Sequence, residues 1–99
     1  MDVDGVFGSF EWDDAKLQAN LVKHGIDFED VVLAMDETAY IYRSAYDREK
    51  RWLAICMESG RLIAVVFTTR GSACRIISAR IARQNERRNY HAHHSRRNS

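Results

Sequence analysis

Proline is missing altogether from these 99 residues, and glycine occurs only five times. No proline-rich linker, repeat or low-complexity stretch divides the chain, which reads as a single domain over residues 1–99. Long apolar runs are missing too. None approaches the ~20 residues that a membrane helix needs, so no membrane role is expected. The opening MDVDGVFGSF carries no base ahead of an apolar stretch, so no secretory signal is expected and the cytoplasm is the default compartment. Cysteine is scarce. Cys56 and Cys74 are expected as free thiols in strands, as in most reducing compartments. Two cysteines alone make no zinc site, and no cofactor or metal is expected.

Net charge is nearly absent at +1, yet the two halves are far from neutral. Residues 1–49 hold 12 acids and four bases, a net −8, whereas residues 50–99 hold two acids and 11 bases, a net +9. Such asymmetry points either to a polyanionic partner or to halves that neutralise each other in the fold.

What the chain does have is clear periodicity. SFEW reads as a short strand. DDAKLQANLVKHG reads as a helix with Asp13 as N-cap and Gly25 as its left-handed stop. Leu17 and Leu21 lie four apart, and Ala15 and Val22 are expected to widen that stripe. Asp27 caps a second helix, with Phe28, Val31, Val32 and Met35 on one face and Asp36–Glu37 at its end. From Thr38 the pattern turns to strands: TAYIYRS, RWLAICMES, RLIAVVFTTR and ACRIISA. Ser59-Gly60 and Arg70-Gly71-Ser72 supply turns. The near-continuous apolar runs suggest strands covered on both faces. A last helix is expected from about Ile81, with residues 1–8 and 91–99 flexible. The fold class is therefore α+β: N-terminal helices on a mainly antiparallel sheet, followed by a C-terminal helix.

The arginines of RIISARIARQNERRNY (residues 75–90) raise the functional question. Arginine within an apolar strand is costly unless paired. Arg70, Arg75 and Arg80 therefore need partners, either a phosphate or Glu11, Glu58 or Glu86. Glu58 itself reads as a solvated hairpin carboxylate. Arg80, Arg83, Arg87 and Tyr90 follow helical spacing and would form a ridge with little apolar anchoring. The ridge could bind RNA, with guanidinium forks for phosphate and the Tyr90 ring for a base. It could equally be a solvated basic face.

Two stretches then resemble one family. FEWDDAKLQANLVKHGIDFED (residues 10–30) resembles the F-E-W-D…K…N…K-H-G…F-E run of the BrnT family. TTRGSACRIISARIARQNERRNY (residues 68–90) resembles its T-x-R…R-I-I-S-A-R-x-A…E-R-x-x-Y run. Glu49 and Arg51 resemble its E-x-R piece. The resemblance implies a RelE-like fold and a metal-independent endoribonuclease toxin of a type II toxin–antitoxin module. It also implies an RNA substrate and a BrnA-like antitoxin with a ribbon-helix-helix domain. DNA would be contacted only through the toxin–antitoxin complex, which represses its own operon. The expected catalytic residues are Lys23, His24, Arg70 and Arg80, and the expected RNA-binding residues are Arg75, Arg83, Arg87 and Tyr90. Histidine can give or take a proton near neutral pH, though His24 and Lys23 could also serve only the helix end. Phe67 stands where relatives frequently carry histidine or tyrosine. That departure motivates the alternative of an inactive, toxin-like module that only holds the antitoxin.

Overall fold

A computed structural model describes residues 8–44 and 50–98, with 97–98 by backbone alone. Strand β1 (Ser9–Glu11) leads into helices α1 (Asp14–His24) and α2 (Phe28–Ala34). Strands β2 (Tyr40–Arg43), β3 (Trp52–Glu58), β4 (Arg61–Arg70) and β5 (Ala73–Ile81) follow, then helix α3 (Gln84–Asn98). The sheet order is β1-β5-β4-β3-β2: an antiparallel meander with β1 added parallel to β5. This is the expected α+β architecture, and its local signals act as read. The Asp13 carboxylate accepts the Ala15 N–H at 2.8 Å, and the Asp27 carboxylate accepts the Glu29 N–H at 3.0 Å. Gly25, at φ 69°, returns its N–H to the Leu21 carbonyl. Ser59 and Gly60 both adopt positive φ, the conformation that a two-residue hairpin turn requires.

The alternation of β3, β4 and β5 divides the core between the two faces of the sheet. Ala54, Cys56, Ile63, Val65, Phe67, Cys74 and Ile76 meet Ile26, Phe28, Val31 and Met35 under α1 and α2. Ile55, Leu62 and Ala64 point the other way and meet Ala82 and Tyr90 under α3. Both cysteines are free and buried, and burial pushes each thiol up to about 12.

The helices differ from expectation in three ways. Val22 is 89% exposed and Ala15 is also exposed, so they do not widen the α1 stripe. The inward face of α1 is instead Leu17, Asn20, Leu21 and His24, of which two are polar. Helix α2 stops at Ala34, ahead of Asp36. Helix α3 starts three residues later than expected and continues to Asn98, because Ile81 still pairs with Ile63 in the sheet. Its second half lies against β2: the His93 ring stacks on Tyr40 at 4.5 Å, and the His94 Nε2–H donates to the Thr38 carbonyl at 2.8 Å. Residues 1–7 and Glu49 lie outside the described residues.

Candidate functional site

Strand β1 covers the outer edge of β5 only along residues 73–75. Beyond it the β5 edge is open, and Asn20 of α1 closes it. Its Oδ1 accepts the Ala79 N–H and its Nδ2 donates to the Ile26 carbonyl, each at 3.0 Å. A buried amide satisfied at both ends is a rigid clamp, since leaving either partner unpaired would be costly. The clamp fixes α1 beside β5 and leaves a cleft of ≈ 550 Å³ between them. From α1, Lys16, Asn20, Lys23 and His24 line it; from β5 and the link to α3 come Ile77, Ser78, Arg80 and Arg83.

A bulge decides which way Arg80 points. Phe67 pairs with Ile76 and Val66 with Ser78, so Ile77 is an extra residue. One inserted residue reverses the faces of everything after it. Cys74, Ile76 and Ala79 therefore all enter the core under α1 and α2, while Arg80 turns to the side of α3. There it meets Glu86 in a two-pronged pair, Nη1 to Oε1 at 2.8 Å and Nη2 to Oε2 at 2.9 Å. Oε1 also accepts the Arg83 N–H at 2.7 Å, which makes Glu86 the acidic half of a capping box at the start of α3. The Arg80 hydrogen bonds hold the buried Glu86 carboxyl below the usual carboxylate range, and raise Arg80 in return. A guanidinium has five N–H donors, so the pair leaves Arg80 donors to offer the cleft.

The structure thus brings together Lys23, His24, Arg80 and Arg83. Lys16 joins them, and neither it nor Asn20 was singled out by the chemistry of the sequence. A signal was present: Asn20 interrupts an otherwise apolar stripe one turn after Lys16. The other candidates lie elsewhere. Arg70 faces Ala73 at the start of β5, seven residues before Arg80 or ~23 Å at ~3.3 Å per residue. Arg75 pairs with Glu11 at 3.2 Å. The expected helical ridge is broken, because Arg80 belongs to β5 and Arg87 turns back to the Ala82 carbonyl at 2.7 Å. Tyr90 is buried against the sheet and packs α3 rather than presenting its ring to a ligand. Glu58 is also buried, with Arg61 at 3.7 Å, and is not the solvated residue expected. Phe67 is buried under α1 and α2 and does not line the cleft. A polar ring there would not reach it, which removes the motive for an inactive module.

The cleft is an anion site by composition. Two lysines, two arginines and a histidine line it, and no acid among the described residues does. Among the described residues, no cluster of three or more His, Cys, Asp or Glu side chains could hold a metal ion. No helix among them is long and apolar enough to cross a membrane.

Comparison with known proteins places this geometry. The family described as "Ribonuclease toxin, BrnT, of type II toxin-antitoxin system" matches residues 12–86, a span that contains every residue lining the cleft. The crystal structure of the Brucella abortus ribonuclease toxin BrnT superposes with a TM-score of 0.63 at 36% sequence identity, covering 77% of this chain and 97% of that one. No sequence match is found among curated proteins. The family match over most of its length shows that this chain belongs to the BrnT family of ribonuclease toxins of type II toxin–antitoxin systems.

Proposed function

We propose that this chain is a metal-independent, cytoplasmic endoribonuclease that works in the cleft between α1 and β5. One observation carries the reading: the end of α1 and the bulged end of β5 converge Lys23, His24, Arg80 and Arg83 on one hollow. Cleavage uses the ribose 2′-hydroxyl as nucleophile. His24 accepts the 2′ proton as the 2′-oxygen bonds to phosphorus. The bond from phosphorus to the 5′-oxygen breaks, and Lys23 supplies the proton to that leaving oxygen. The products are a 2′,3′-cyclic phosphate and a 5′-hydroxyl end. Arg80 and Arg83 face the charge that builds on the phosphate, and preorganised cations of this kind contribute much of such rate enhancements. Held by Glu86, Arg80 needs little reorganisation when the phosphate arrives. The cationic lining supports catalysis without a divalent ion, since it would repel one. Arg70, Arg75 and Arg87 then lie on the path of a longer RNA or on other surfaces.

The family carries with it an antitoxin partner. We infer a BrnA-like antitoxin with a ribbon-helix-helix domain that neutralises the chain and binds operator DNA, so that DNA is met only as the complex. The test is cleavage of a defined RNA by the purified chain in EDTA. Cyclic-phosphate ends are expected, and His24→Ala should slow cleavage ~10²–10⁴-fold, the usual weight of a positioned acid–base group. Full activity in His24→Ala would remove its role, and dependence on added magnesium would remove metal independence.

A further inference from the structure

Away from the cleft, α2 and the β3–β4 hairpin enclose a second hollow of ≈ 230 Å³. Leu33, Ala34 and Met57 supply its apolar wall, and Asp30 and Glu58 its acidic rim. It shares no lining residue with the cleft. Leu33 is 79% exposed and Met57 is 44% exposed, so the wall has no cover within the chain. Its volume falls below the ~300–1,000 Å³ of small-molecule pockets, and suits one or two inserted side chains. The charge around it narrows the occupant. Residues 27–37 contain Asp27, Glu29, Asp30, Asp36 and Glu37, and no base. That field repels nucleic acid and anionic lipid and attracts a cationic protein segment.

We propose that this groove anchors the antitoxin, through a segment that inserts an aliphatic side chain over Leu33 and Met57 and sets flanking Lys or Arg against Asp30 and Glu58. The inference rests on the antitoxin partnership proposed above and adds where, and by what chemistry, the contact is made. The two surfaces have opposite charge: the cationic cleft faces RNA, and the acidic groove holds the partner. A buried apolar centre with a charged rim is the usual plan of a strong protein contact.

The test co-expresses the chain with the antitoxin of its operon and measures affinity by calorimetry. Leu33→Ser and Asp30→Lys should each weaken the complex by about tenfold or more, the weight of a central contact. RNA cleavage by the free variants should stay at the level of the unaltered chain, because neither residue lines the cleft. Amide exchange in the unaltered complex should slow at residues 29–35 and 56–60. Normal antitoxin affinity in both variants, without protection there, would overturn the proposal. An unaltered chain that binds no antitoxin would instead sink the partnership. A free chain that is dimeric by light scattering, and becomes monomeric in Leu33→Ser, would assign the groove to a second copy and also overturn the proposal.

Discussion

Under α1 and α2 the sheet is closed by hydrocarbon, with Phe28, Val31, Ile63, Val65 and Phe67 at 1% exposure or less. Under α3 it is closed by Ala82, Tyr90 and the rims of Tyr40 and Tyr42. Much of the fastening there is polar: Arg80 to Glu86, the capping bond to Arg83, and His94 to the Thr38 carbonyl. The first arrangement is insensitive to pH and tolerant of small polar changes at its surface. The second depends on particular pairs and on their charge. The cleft lies where the two regimes meet: its α1 side is held by the apolar core and Asn20, and its Arg80 side by Glu86. A catalytic arginine can therefore be fixed or loosened with little effect on the main core.

The largest effect should come from the apolar face. Phe28 is fully buried and meets Trp12 edge to face at 5.9 Å. Phe28→Ala should cost about 3–5 kcal/mol, the usual range for emptying an aromatic site. Urea unfolding would read this as a lower midpoint. A loss below about 1 kcal/mol would mean that α2 is not the main cover of this face.

Breaking the polar face should cost less but change more chemistry. Glu86→Ala leaves Arg80 partly buried without its partner, with a cost of about 3 kcal/mol at the low end for severed buried pairs. Cleavage should fall with it, mainly in kcat, because Arg80 loses its orientation. Glu86→Gln keeps an acceptor for the Arg83 N–H and isolates the role of charge. The folded carboxyl lies below its ordinary value of about 4.3 because of Arg80. A depressed carboxylate contributes stability that is present above its unfolded value and lost as pH falls through the folded one. The stability gap between the unaltered chain and Glu86→Gln should thus be full above about pH 5 and shrink in more acidic solution. A gap that stays constant down to pH 2 would show that charge is not what fastens α3.

These two regimes also explain what the sequence made legible. The caps at Asp13 and Asp27, the stop at Gly25 and the strand alternation are local signals, and the elements they mark stand where expected. The need of strand arginines for partners was legible as chemistry, and Glu11 and Glu86 fill that need for Arg75 and Arg80. The register of Arg80 was not legible, because it turns on the Ile77 bulge, which has no glycine to announce it. Helical spacing from Arg80 to Tyr90 looked continuous, but cross-strand pairing holds Arg80 and Ile81 in β5. Lys16 entered the cleft unannounced, since its place there follows from the tertiary clamp at Asn20.

The smallest effect should separate the two halves of α3. Its apolar anchors, Ala82 and Tyr90, lie before or early in the helix, so its second half relies on ring contacts with β2 and the segment before it. His94 gives one hydrogen bond to the Thr38 carbonyl and packs on the Tyr90 ring at 4.3 Å. His94→Ala removes both, at about 0.5–1.5 kcal/mol for a single hydrogen bond. Because the apolar core stays intact, the loss should be local. Amide exchange should quicken in residues 91–98, while α1, α2 and the central strands keep their protection, as expected of a low-stability unit. Cleavage should stay unchanged, since Glu86 and Arg80 sit two turns earlier. If exchange instead quickened throughout the sheet, the end of α3 would belong to the same cooperative unit as Phe28, and the contrast between the two faces would fail.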